Sequence, residues 1–262
     1  MPTSHSFESI RTPRTLPHIF FHFPRLPWVH CLFPLRDLLA AHADDPFSGG
    51  NLSFDVGDEP ERVHKTREEL LSSYRFAGLR DIYEIKQVHG TRLFITTEQP
   101  DISETADGLA TDTTGAALFI KTADCQSILL TNTAGSHIMA LHVGWRGNRE
   151  EFIAKAVDLF CGHYGLDPSQ LLAVRGPSLG PAQAEFRNFS SEWPERFTPF
   201  FDPQSTTMDL WALTREQLSK AGLLPRNLYG IDLCTFSNLT CFSYRRSKRC
   251  GRLGGLIWIE KH

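Results

Sequence analysis

The sequence predicts one α/β or α+β domain built on a mixed sheet. Three observations lead there. Apolar runs of strand length alternate irregularly with longer segments whose apolar residues recur at helical spacing. No internal repeat, low-complexity tract or shift of composition marks a linker. The length of 262 residues suits one large domain, and 41% hydrophobic residues allow a sizeable core.

Taken in order, residues 1–16 are polar and proline-containing, and are expected to be a poorly ordered lead-in to a domain spanning residues 17–262. His18 to Leu35 is aromatic and apolar but interrupted by prolines, which favours short strands or an edge ribbon over a helix. Asp44 to Asp58 reads as a turn-rich loop with a short strand around Leu52 to Val56. Glu59 to Tyr74 reads as a helix: Pro60 sits in its first turn, and Val63, Leu70, Leu71 and Tyr74 share a face. Ile82 to Val88 and Arg92 to Thr96 are expected strands flanking His89-Gly90. Ala116 to Lys121, Ser127 to Thr131 and Ile138 to Val143 are expected buried strands. Asn148 is placed to cap a helix from Arg149 to Tyr164, with Phe152, Ile153, Ala156, Val157 and Phe160 at helical spacing and Gly165 ending the run. Leu171 to Val174 is a strand, Asp209 caps a helix reaching Ala221, and Leu228 to Leu233 and Gly255 to Ile259 are late strands.

Composition removes several classes of function. A net charge of -3 argues against nonspecific binding to nucleic acid or a membrane surface. No run reaches the roughly 18 apolar residues of a membrane span, and no signal peptide is evident. Six cysteines include no C-x-x-C pair and no spacing like a disulfide framework, which fits reduced thiols and a cytoplasmic protein.

Three residues at the ends or middles of strand-like runs carry chemistry: His89 in QVHG, Cys125 in TADC and His142 in LHVGWRG. Two histidines and a cysteine make a zinc set with an open fourth position, and Asp107 and Asp124 are placed to orient a ligand. Cys125 as a nucleophile with His142 as its base would need no metal. A buried cysteine and a satisfied core histidine are the bland alternative. Arg146 and the run FSYRRSKRCGR, with Arg245, Arg246, Lys248, Arg249 and Arg252, offer forked donors for phosphate or carboxylate; a solvated loop is the plainer reading. GPSLGP lacks the endings of a phosphate loop and reads as a tight connection.

In order, NLSFDVGDEPERV, QVHG, Asp107-Gly108, KTADC, LHVGWRG, GPSLGP with Glu185, Cys234-Thr235, FSYRR and Gly251-Arg252 resemble the laccase-domain purine nucleoside phosphorylase family, whose members are also labelled multicopper polyphenol oxidases. The resemblance implies a single-domain, four-layer α/β/β/α sandwich with mixed sheets. It implies a zinc site at His89, Cys125 and His142. It also implies phosphorolysis of purine nucleosides such as adenosine, inosine, guanosine and methylthioadenosine, with phosphate as co-substrate, together with adenosine deamination. Asp124 and Glu185 are then candidate proton carriers, and Arg146, Arg245, Arg246, Gln87 and Arg36 candidate holders of substrate or phosphate. Arg36 of FPLRDL is the nearest match to a basic motif that members carry near the N-terminus. Ala184 stands where members usually have an aromatic residue, which marks a candidate difference in substrate preference.

The implied partners are small molecules, not nucleic acid or membrane, and the chain is expected to be a monomer or small homo-oligomer. Eleven histidines with no H-x-H or H-C-H exclude a three-domain copper oxidase, while copper bound in the zinc site in vitro leaves polyphenol oxidase activity as an alternative. A metal-free cysteine hydrolase using Cys125 and His142, and a non-catalytic nucleotide-sensing protein, are the other readings.

Overall fold

The computed structural model describes residues 16–101 and 103–260. The lead-in expected over residues 1–16 therefore lies outside the described residues, apart from Leu16. In chain order the elements are β1 (His18–His22), β2 (Val29–Pro34), α1 (Pro60–Tyr74), β3 (Asp81–Tyr83), β4 (Leu93–Ile95), β5 (Gly108–Thr111), β6 (Ala116–Thr122), β7 (Gln126–Asn132) and β8 (Ile138–Val143). They continue with α2 (Trp145–Arg149), α3 (Phe152–Tyr164), β9 (Leu171–Arg175), α4 (Phe189–Glu192), β10 (Phe201–Asp202), β11 (Thr207–Met208), α5 (Leu210–Lys220), β12 (Leu228–Gly230) and β13 (Leu253–Ile259).

The strands form two large sheets. One runs β1-β2-β13-β6-β3 and the other β12-β9-β7-β8-β5-β4; β10 and β11 pair separately. Both large sheets are mixed, because β3 is parallel to β6, β12 to β9 and β4 to β5, while the other neighbours are antiparallel. The expected ribbon is the β1–β2 hairpin at the edge of the first sheet, with Pro24 and Pro27 in its turn.

Side-chain alternation builds the layers. Cys31 and Phe33 of β2, Leu118 and Ile120 of β6, and Ile257 of β13 share one cluster with Leu129 of β7, Ala140 of β8 and Val174 of β9, so the sheets pack face to face. The alternate residues Phe119, Leu256 and Trp258 meet Leu70 and Tyr74 of α1 on the outer side of the first sheet. Ile128, Leu130, Met139 and Leu141 meet Phe152, Val157 and Phe160 of α3 and Leu218 of α5 on the outer side of the second. The result is the four-layer α/β/β/α sandwich. Its central strands read as continuous apolar runs because both of their faces are covered. No helix among the described residues is long and apolar enough to cross a membrane.

Four local expectations differ from the structure. Leu52 to Val56 is loop rather than strand. The Asn51 amide donates to the Ser53 carbonyl and to Asp58, and Leu52 N–H donates to the Arg252 carbonyl, so polar groups are paired without a full ladder. The strand expected over Ile82 to Val88 stops at Tyr83, and that over Leu228 to Leu233 at Gly230. The helix expected from Arg149 is two helices, broken at Glu151 with φ of 56°. Asn148 lies inside α2 and caps nothing; its amide donates to Thr214 and Gln217 of α5. β5 was not foreseen, since Gly-Leu-Ala-Thr has weak strand character on its own.

Candidate metal centre and its cleft

Two turns and one strand meet at one point. His89 lies between β3 and β4, Cys125 in the tight turn from β6 to β7, and His142 within β8. One donor atom from each lies within 4.8 Å of the others, and Cys125 Sγ is 3.9 Å from His89 Nε2. Only His142 is inside a strand. The other two ride on turns, with His89 at φ 59° and Asp124, just before the cysteine, at φ 100°. Non-glycine residues hold such angles only where surrounding structure enforces them, and such strain clusters at functional sites.

Asp107 supplies part of that enforcement. It is fully buried, immediately before β5. Its carboxylate sits 2.7 Å from His142 Nδ1 and accepts the backbone N–H groups of Val88, His89 and Gly90 at 3.3, 2.9 and 2.6 Å. One carboxylate thus orients the ring of one histidine and the backbone of the other, and it leaves His142 Nε2 facing the thiol. Gly144 completes the cradle, because a Cβ there would come within 3.0 Å of Cys125 Sγ.

Burial alone would push the Cys125 thiol up, but His142 and His89 outweigh it and bring it down to about 6. Burial likewise opposes charge on His142, yet Cys125 and Asp107 raise it to about 9. Both shifts run toward a thiolate facing an imidazolium. Two imidazoles and a thiolate, anchored from behind by a carboxylate and open to a cleft, fit a zinc ion with a free coordination position.

The triad opens into a cleft of about 850 Å³. Trp145, Leu179, Phe186 and Leu210 give it an apolar wall, and Lys121, Arg146, Arg245, Lys248 and Arg252 bring cations to it. Lys121 is neutralised by Asp55 and Glu84, each 3.0 Å away. Among the described residues the other four make no ion pair with a carboxylate. The Arg146 guanidinium lies 4.4 Å from the Trp145 ring centre, and Lys248 lies 4.3 Å from that of Tyr244. A smaller cavity of about 210 Å³ beside α5 surrounds Arg175, whose guanidinium is already bonded to Ser178, Asp232 and the Gly176 and Ile231 carbonyls.

The remaining expected site residues fall in distinct places. Gln87 is on the cleft wall, with its amide bonded both ways to the Lys121 backbone at 2.8 Å. Asp124 is also on the wall, with both carboxylate oxygens engaged by Thr235 and the Arg245 backbone. Glu185 does not line the cleft and binds Arg187 at 2.8 Å. Arg246 donates to the carbonyls of Thr235, Phe236, Asn238 and Cys241, and Arg36 to the Ser48 carbonyl, so both brace loops away from the cleft surface. Ala184 is fully buried in a satellite core with Trp193 and Met208, so its missing aromatic ring is not on the cleft surface; Phe186 is. Phe186 and Tyr244 were not singled out from sequence. Tyr244 sits inside the FSYRR motif, which was the available signal.

A family model described as multi-copper polyphenol oxidoreductase laccase matches residues 38–260. A purine nucleoside phosphorylase of Xylella fastidiosa is 33% identical over 253 residues, covering 90% of this chain and 95% of its own. The purine nucleoside phosphorylase YfiH of Escherichia coli is 31% identical over 224 residues, covering 82% and 88%. The crystal structure of a Neisseria meningitidis protein superposes with a TM-score of 0.79 at 27% identity, covering 93% of this chain and 99% of that one. By the match over nearly the whole domain, this chain belongs to the laccase-like family of the YfiH-type purine nucleoside phosphorylases.

Proposed function

We propose that this chain is a zinc-dependent purine nucleoside phosphorylase for nucleosides of the adenosine, inosine, guanosine and methylthioadenosine class, with an accompanying adenosine deaminase activity. The observation that carries the reading is the His89–Cys125–His142 cluster, opening into one cleft with an aromatic wall and arginines that have no carboxylate partner among the described residues. Zinc bound there supplies Lewis-acid chemistry. Trp145, Leu179 and Phe186 offer the purine an apolar surface that keeps it from water. Arg146 and Arg245 hold inorganic phosphate with forked donors and balance its charge near the reacting sugar. A phosphate oxygen forms the new bond to C1′ while the C1′–N bond breaks. The electron pair leaves with the purine, which takes up a proton. The protein's contribution to that displacement is positioning and charge.

A metal-free cysteine hydrolase is the second reading. It is favoured by the lowered Cys125 thiol beside His142. The two readings part at His89, which a Cys–His pair does not need. The zinc reading expects about one zinc per chain, and loss of both zinc and nucleoside turnover in His89→Ala. Ester or amide hydrolysis that survives in metal-free His89→Ala would instead establish the hydrolase. Copper bound to the same ligands is a third occupant to test, since copper outcompetes zinc for such a donor set. Oxidation of a phenol by the copper-loaded chain, with no nucleoside turnover by the zinc-loaded chain, would favour the oxidase reading.

A further inference from the structure

We propose that Asp124 is a positioning residue that fixes the anion-holding loop against the metal centre, rather than a carrier of protons. Its kinetic consequences rest on the phosphorolysis reading; its consequence for phosphate binding does not. Asp124 joins three distant segments to the turn that carries Cys125. Its Oδ1 accepts the Thr235 hydroxyl at 2.6 Å, and its Oδ2 accepts the Arg245 backbone N–H at 2.6 Å. Its carbonyl accepts Leu179 N–H at 2.9 Å. In sequence these are the separate motifs TADC, GPSLGP, CT and FSYRR; in space one residue ties them together.

Three features of the junction point to a clasp. Both carboxylate oxygens accept short, charge-assisted bonds, one from each of two distant loops, which holds those loops to the turn. Asp124 also sits at φ 100°, in the left-handed region, which a non-glycine residue holds only where its surroundings enforce it. Finally, among the described residues the Arg245 side chain makes only long hydrogen-bond contacts of 3.4 and 3.5 Å, to the Glu185 carbonyl. Its guanidinium is left to a ligand while its backbone is pinned. The distance between Arg245 and the neighbouring metal ligand Cys125 is thus set by one side chain.

Asparagine separates the two roles. Its oxygen can accept Arg245 N–H while its amide donates to the Thr235 hydroxyl, which can turn to accept. Asp124→Asn therefore keeps the clasp and abolishes proton transfer; Asp124→Ala loses both. The experiment combines calorimetry of inorganic phosphate on the zinc-loaded protein with adenosine phosphorolysis at varied phosphate. Zinc content and melting temperature are checked for each variant. The expected result is phosphate affinity weakened about ten- to a hundredfold in Asp124→Ala, the loss that removing a charged hydrogen bond implies. KM for phosphate should rise in parallel, zinc content should not change, and both should be restored in Asp124→Asn. Should Asp124→Ala fail to fold, Thr235→Val, which removes one arm of the clasp, carries the same expectation in smaller degree. Loss of kcat in Asp124→Asn, with one limb of the pH profile gone, would overturn the proposal in favour of proton transfer. Unchanged phosphate affinity in Asp124→Ala or Thr235→Val would also overturn it, as would absence of phosphate binding by the unmutated protein. If the unmutated protein binds phosphate but turns over no nucleoside, phosphorolysis fails and calorimetry still decides the clasp.

Discussion

Asp107 shows how much of the site depends on one buried carboxylate. It touches the His142 ring and the backbone at and on both sides of His89, so removing it releases two of the three candidate metal ligands at once. Asp107→Ala is expected to lower zinc affinity about ten- to a hundredfold, as loss of an outer hydrogen-bond partner does elsewhere; competition with a chelator of known affinity measures it. Gly144→Ala is expected to reduce zinc occupancy through crowding, because the added methyl meets Cys125 Sγ at 3.0 Å. The candidate ligand types were legible from sequence: a cysteine and two histidines at the ends or middles of strand-like runs invite one explanation. The division of labour between Arg245 and Arg246 was not. The two are adjacent and chemically identical, yet one faces the cleft and the other spends its donors on four carbonyls. That difference is made by the turn they share, which no residue type announces.

At the scale of elements, apolar periodicity located α1, α3 and α5 and the central strands because those segments are decided by burial. α5 also carries a local start signal: Asp209 accepts Ala212 N–H at 2.9 Å. Asp209→Ala is expected to cost about 1 kcal/mol in a denaturant titration, the usual value of an N-cap. The break between α2 and α3 was hidden. Neither glycine nor proline marks it, and Asn148 looked like a cap because its true partners, Thr214 and Gln217, are 66 and 69 residues away. Helix starts that depend on distant partners leave no local trace. The consequence is functional, since the earlier start of α2 places Arg146 in its first turn and on the cleft.

Across the whole molecule, the two sheets bring turns from opposite ends of the sequence to one edge, and the ion pairs behind that edge couple stability to pH. Burial would push the Glu84 carboxyl up, but Arg67 and Lys121 hold it below the usual carboxylate range. A carboxyl depressed in the folded state contributes stability that is fully present above its unfolded value of about 4.3 and is lost as pH falls through the folded value. The melting temperature should therefore fall on acidification below about pH 4.3, and Glu84→Gln should flatten that fall while lowering stability near neutrality; melting curves across pH test both. In the proposed function the candidate metal centre and the basic cleft act together on a nucleoside. The most direct test is chromatographic product analysis of zinc-loaded protein incubated with adenosine, with and without phosphate, beside Cys125→Ala. Adenine and ribose 1-phosphate are expected only when phosphate is present, any phosphate-independent product being inosine, and neither from Cys125→Ala. Unchanged adenosine after incubation with zinc-loaded, unmutated protein, or equal turnover by Cys125→Ala, would contradict the proposed function.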